Sequence, residues 1–203
     1  MAKYNNFKKL SADFYLNPDV VDIARTLLGK VIVKKDHDLT RYARIIETEA
    51  YAGAEDLASH AFGNKRTART ETMFTKGGKA YVYLCYGMHH LLNVVTNQKD
   101  IPHAVLIRAI EPLFDNSIAS TKNKRRTGSG PALVTKYLGI DIHHNKKSFL
   151  SGDLFIADDQ FIPEHISASP RIGVDYAGEA AQWPYRFFIT GHPHVTPHAL
   201  NIV

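Results

Sequence analysis

A chain of 203 residues with 44% hydrophobic content can form one domain around a sizeable core. Its 25 Lys and Arg against 20 Asp and Glu give a net charge of +5 and an isoelectric point near 9.2, a balance that favours a polyanionic partner. The single cysteine, Cys85, excludes an internal disulfide, and neither a signal-peptide pattern nor an apolar run of about 20 residues is present, so we expect an intracellular protein without a membrane partner.

In chain order, residues 1–16 are polar and aromatic and read as an arm, the first ten as a flexible lead-in. Asn17, Pro18 and Asp19 start a helix. Val20, Ile23, Ala24, Leu27 and Leu28 carry its apolar face, and Gly29 stops it. Residues 30–34 and 41–49 are predicted strands joined at His37 and Asp38, an antiparallel hairpin. Residues 54–61 read as a short helix and 64–72 as a polar, basic connection. Residues 79–86 alternate, with Tyr81, Tyr83 and Cys85 on one face and Val82, Leu84 and Tyr86 on the other. Gly87 then marks a turn, and residues 91–96 and 104–110 are further strands.

Residues 115–130 form a solvated loop holding Lys122, Lys124, Arg125 and Arg126. Pro131 starts a helix closed by Gly139. Short strands at 154–156 and 187–189 follow. Neighbouring strands without long intervening helices argue for an antiparallel sheet, and we expect a single α+β domain spanning residues 1–203.

The chemistry concentrates at residues 45–60. Glu49 leaves a strand, Tyr51 follows two residues on, and His60 comes nine residues later, both able to face Glu49. A carboxylate, a stacking plate and a hydrogen-bonding imidazole suit work on a nucleobase. Glu47 shares the strand face of Glu49. Tyr81, Tyr83 and Tyr86 lie on one hairpin arm with Met88 at the turn, where an apolar wedge can pry base steps apart. Asn93 and Arg108 sit in apolar strands and need partners, with Glu111 the structural candidate for Arg108. Pairs such as His89-His90 and His143-His144 lack metal-site spacing, His192, His194 and His198 lack a supporting Cys or carboxylate cluster, and no phosphate-binding glycine loop is present.

These residues fall in an ordered set of motifs that resembles the alkyladenine (3-methyladenine) DNA glycosylase family. The motifs are Ala24-Arg25-Thr26-Leu27-Leu28-Gly29-Lys30; Ile46-Glu47-Thr48-Glu49-Ala50-Tyr51 with Glu55, Asp56 and His60; Tyr81-Val82-Tyr83-Leu84-Cys85-Tyr86-Gly87-Met88; and Val105-Leu106-Ile107-Arg108-Ala109-Ile110-Glu111-Pro112. Ser129-Gly130-Pro131 and Arg171-Ile172-Gly173-Val174 continue the set, which runs from about residue 10 to residue 190.

The resemblance implies a monofunctional base-excision enzyme that flips and hydrolytically releases alkylated purines. It implies 3-methyladenine and 7-methylguanine types, with hypoxanthine and ethenoadenine as further candidates. By motif position Glu49 corresponds to the general base and Arg108 to a residue near the catalytic water and the DNA backbone. Tyr51 and Tyr83 match the rings that sandwich the base, with His60 facing it, and Asn93 matches the amide that opposes the 2-amino group of guanine. Tyr86, with Met88 beside it, matches the wedge at the hairpin tip. The implied fold has a curved antiparallel sheet, flanking helices and a protruding hairpin.

The implied protein is a monomer on double-stranded DNA with a damaged purine, without metal or cofactor, in the cytoplasm and nucleoid of a bacterium or the nucleus of a eukaryote. The basic residues Lys122, Lys124, Arg125 and Arg126 would contact phosphates. The resemblance leaves Glu47 as a supporting or exposed carboxylate. Two rival readings are a non-catalytic nucleic-acid-binding module using the basic loop and hairpin tyrosines, and a hydrolase of small nucleosides that needs no wedge.

Overall fold

A computed structural model describes residues 7–37, 39–114 and 127–201. The basic cluster Lys122, Lys124, Arg125 and Arg126 lies outside the described residues.

The fold is a mixed α+β arrangement on one sheet. Its strands are β1 (Lys8–Lys9), β2 (Val31–Asp36), β3 (Leu39–Tyr51), β4 (Ala80–Cys85), β5 (His89–Thr96), β6 (His103–Leu113), β7 (Leu154–Asp158), β8 (Ile166–Ser169) and β9 (Arg186–Ile189). The main order is β1-β7-β2-β3-β6-β5-β4, and every pairing is antiparallel. The helices are α1 (Ala12–Tyr15), α2 (Val20–Thr26) and α3 (Pro131–Leu138). Asp19 caps α2 by accepting from the Val21 and Asp22 amides at 2.9 and 3.0 Å, and Gly139 closes α3 at φ +66°.

Strand β3 organises the sheet. Its first half pairs with β2, as in Val31 opposite Arg44. Its second half pairs with β9, as in Glu49 opposite Arg186. Along its other edge it runs beside β6, from Tyr42 opposite Leu113 to Tyr51 opposite Ala104. That ladder is irregular: Ile45 pairs with Ile110, Glu47 with Ala109 and Thr48 with Ile107, so Ile46 and Arg108 are left out of the pairing.

The bulge decides which way the carboxylates point. Ala43 and Ile45 belong to the main core, and strict alternation would send Glu47 and Glu49 the same way. Instead Ile45 and Ile46 are both core residues, Ala50 follows them, and Thr48 donates to the Ala24 carbonyl of α2 at 2.8 Å. Glu47, Glu49 and Tyr51 are thereby turned to the opposite face. The main core lies between the sheet and α2 and α3, with Ile23, Ala24, Val134 and Leu138 fully or almost fully buried. The opposite face carries two smaller clusters, one of Tyr81, Met73, Phe74, Val95 and Ala104, the other of alanines and Val174 against Tyr51 and Trp183.

Two expectations change. The arm is partly built in: Lys8 and Lys9 pair with β7, and Tyr15 is fully buried. Residues 54–61 form no α-helix, only a 3-10 turn at Gly53–Glu55 and further turns. The cause is Asp56, whose carboxylate accepts from the Ala52 and Ala58 amides at 3.0 Å each and so competes with helical pairing.

Candidate active site

The face that receives Glu47, Glu49 and Tyr51 holds a cavity of about 390 Å³. That volume lies in the range that holds a small organic molecule. Alternation brings one side of each strand to its wall: Tyr81, Tyr83 and Cys85 from β4, Leu91 and Asn93 from β5, Ala104, Leu106 and Arg108 from β6. Tyr51, His60, Arg69, Ile172 and Tyr176 complete much of the rest.

Glu49 is fully buried one layer behind this wall. Its Oε1 accepts from the Ile172 amide at 2.8 Å and lies 3.3 Å from an Arg108 Nη1. Its Oε2 accepts from the Tyr51 hydroxyl at 2.9 Å. Those three partners, Tyr51, Arg108 and Ile172, are all on the cavity wall. Burial, then the charge of Glu49, hold the Tyr51 phenol well above its ordinary range, so it stays protonated and donates. Burial pulls the Arg108 guanidinium down, but Glu49 and Glu47 outweigh it and the net shift is upward.

Glu47 is no exposed bystander. It is fully buried, and its Oε1 accepts from Arg108 Nε at 3.1 Å and Arg186 Nε at 2.7 Å. Its Oε2 accepts from the Thr196 amide at 2.8 Å. Arg108 therefore bridges two carboxylates, and Glu111 is not its partner. Glu111 instead lies 3.6 Å from His192.

His60 shares the cavity with Tyr51 but does not pair with Glu49. Its Nδ1 is 3.0 Å from the Tyr81 hydroxyl, its Nε2 is 3.4 Å from Arg69, and its ring meets Tyr83 edge-on at 4.7 Å. Burial, helped by the Arg69 charge, lowers its pKa to about 4, so the ring is neutral at physiological pH. Burial pushes the Tyr83 phenol up and the Tyr81 phenol up to about 12. Asn93 is buried on the wall and commits its Nδ2 to the Tyr81 carbonyl at 3.1 Å.

The hairpin tip stands at the rim. Tyr86 is 90% exposed and Met88 71%. Tyr86 has φ +49°, a backbone region that a bulky side chain rarely adopts, followed by Gly87 at +69°.

Several contributors receive no role from the sequence, although Arg171 and Ile172 lie in its last motif. Arg171 is buried, pairs with both oxygens of Asp56, and stacks 4.8 Å from the Tyr51 ring centroid. Arg69 lies 4.8 Å over Tyr83. The Ile172 amide is a backbone group and is invisible to residue type. The histidines set aside above go elsewhere: His144 pairs with Asp141, His194 Nδ1 lies 2.9 Å from the Thr127 carbonyl, and His198 accepts from the Leu200 amide. Among the described residues no three His, Cys, Asp or Glu side chains converge as a metal site would need.

Comparison with known proteins gives the family. The sequence profile of the Methylpurine-DNA glycosylase (MPG) family matches residues 13–193. The chain belongs to the methylpurine-DNA glycosylase family. It is 41% identical to a protein of Clostridium perfringens (strain 13 / Type A) provisionally named 3-methyladenine DNA glycosylase, covering 93% of this chain and 98% of that one. A protein of the same name from Bdellovibrio bacteriovorus is 44% identical over 92% and 98% of the two chains. A third, from Bacillus subtilis, is 42% identical over 87% and 91%. As a methylpurine-DNA glycosylase the protein is an N-glycosyl hydrolase that works on DNA. Membership sets aside the non-catalytic module and the small-nucleoside hydrolase.

Proposed function

We propose that this chain is one glycosylase domain that acts as a monomer inside the cell, flipping alkylated purines of the 3-methyladenine and 7-methylguanine type out of duplex DNA and releasing them by hydrolysis, with Glu49 as the general base. The observation that carries this reading is that Glu49's partners Tyr51, Arg108 and Ile172 are wall residues of the same cavity as His60, Tyr83 and Asn93.

In the step envisaged, a water bound between Glu49 and the sugar gives its proton to the carboxylate as its oxygen attacks C1′. The glycosidic bond breaks and its electron pair leaves with the purine. The sugar gains positive charge as the bond lengthens, and a carboxylate beneath it is favourable. An alkylated purine is already cationic and leaves as a neutral base, so strong acid assistance is unnecessary. The rings of Tyr51 and Tyr83 favour such a base by cation–π attraction, of order 1 kcal/mol or more once water is excluded.

In this reading Asn93 opposes the 2-amino group of normal guanine, His60 meets the edge of the base, and Tyr86 with Met88 fills the gap left in the duplex. Neutral lesions such as hypoxanthine and ethenoadenine are further candidate substrates. The test is incubation with duplex oligonucleotides, each carrying one lesion, followed by alkaline cleavage at abasic sites. Cleavage confined to the lesion position, dependent on alkali, supports the reading. Intact strands with every alkylated purine would overturn it, and strand breaks without alkali would contradict the monofunctional mechanism.

A further inference from the structure

The family match ends at residue 193, yet the chain beyond it reaches the fully buried charges Glu47 and Arg186. The Thr196 amide donates to Glu47 Oε2 at 2.8 Å. Asn201 accepts from Arg186 Nη2 at 2.7 Å through its side-chain oxygen and donates to the Thr196 carbonyl at 2.9 Å. Arg186, itself fully buried, gives its Nε to Glu47 and its Nη1 to Ser169. Glu47 then holds Arg108 through Nε, leaving Nη1 facing Glu49. The sequence of contacts is continuous from Asn201 to Glu49.

Each member needs the others. Glu47 is a buried anion satisfied by two guanidinium groups and one amide, and it would be costly unpaired. Strand alternation brings Arg108 to the cavity wall, and at the bulge it is outside the β3–β6 pairing, so the orientation of its guanidinium is held by its carboxylate partners. With Glu47 it has two carboxylates to bridge; without it, the planar guanidinium is free to rotate toward Glu49 or into the cavity.

We infer that Glu47 is a positioning residue that fixes Arg108 against Glu49, and that residues 195–201 complete its coordination and so belong to the catalytic apparatus. This rests on Glu49 as the base. The action of Glu47 is indirect: it touches no reacting atom, and its effect on the rate passes through the geometry of Arg108.

The test uses the full chain and a duplex with a single 7-methylguanine, under single-turnover conditions, with Glu47→Gln, Asn201→Ala and Glu49→Gln in parallel. Three quantities are read: the rate constant at saturating enzyme, the enzyme concentration giving half that rate, and the fraction of active protein from burst titration. Glu47→Gln is expected to lower the saturating rate constant about tenfold or more, with Asn201→Ala lowering it about two- to fivefold. The half-saturating concentration stays within about twofold in both.

A purely structural role for Glu47 would instead shrink the active fraction while the surviving enzyme kept its wild-type rate constant. That result would overturn the inference. Should Glu47→Gln fail to fold, Asn201→Ala decides by the same three readings. If Glu49→Gln is as active as the wild type, the base assignment is what fails. If Glu49→Gln is inactive while Glu47→Gln and Asn201→Ala keep the wild-type rate constant, the positioning role fails alone.

Discussion

The Tyr51 hydroxyl donates to Glu49 Oε2 over 2.9 Å, so the ring that would stack on the base also steadies the carboxylate that would activate water. The two residues are neighbours on one strand face because the bulge at Ile46 turns both away from the main core. Tyr51→Phe keeps the plate and removes the bond. Its stability should fall by about 1.5–3 kcal/mol, the range for a hydrogen bond to a charged group, as read by urea denaturation. Its excision rate should fall about tenfold, with duplex affinity unchanged.

The hairpin tip is a place where stability and activity should separate. Tyr86 is almost wholly exposed at φ +49°. Asparagine adopts that backbone region more readily than tyrosine but cannot fill a gap in a base stack. Tyr86→Asn should leave stability within about 0.5 kcal/mol of the wild type, or raise it slightly. Excision from duplex should drop about tenfold, and excision from a single strand, where there is no stack to part, should drop much less.

The Asp56–Arg171 pair is buried on both sides and should behave oppositely to the tip. Asp56→Ala strands a buried guanidinium and frees the Ala52 and Ala58 amides. A loss of about 3–5 kcal/mol is expected from breaking such a pair. That is a large part of a typical domain's stability of about 5–15 kcal/mol, so thermal unfolding should start well below that of the wild type.

His60 gives a pH signature. Its pKa is about 4 in the fold against 6.5 for the free side chain, so between those values the unfolded chain binds the extra proton. The contribution of His60 is therefore fully felt above about pH 6.5 and is lost as pH falls toward 4. His103 and His194, also lowered by burial, act with the same sign, so the wild-type curve alone does not isolate it. The difference between wild type and His60→Gln in urea stability should shrink steadily from pH 7 to pH 4. A difference that does not change with pH would place the His60 pKa near its ordinary value.

Much of the scaffold was legible because local chemistry and fold agree. Asp19 and Gly139 bound helices as their residue types suggest, and the β2–β3 and β4–β5 hairpins follow from alternation and turns. Glu49, Tyr51, His60, Tyr83, Asn93 and Arg108 stand out in the sequence by residue type and position, and the fold brings them to one cavity or directly behind its wall.

What was not legible is non-local. Nothing in the residues around Ile46 announces a bulge, so Glu47 reads as a supporting or exposed carboxylate when it is fully buried. Its partners Arg186 and Thr196 come from more than a hundred residues away. Nearness in sequence suggests Glu111 as a structural partner of Arg108, whereas the register places Glu47 and Glu49 beside it. The Ile172 amide could not be read from a side-chain pattern at all.

The most direct measurement is single-turnover release of 7-methylguanine from duplex by Glu49→Gln, with lesion-duplex affinity measured on the same preparation. The account predicts affinity within about twofold of the wild type and a release rate reduced by about a thousandfold or more, the loss expected on removing an essential base from a hydrolytic step. Release at the wild-type rate by a folded, DNA-binding Glu49→Gln protein would contradict it.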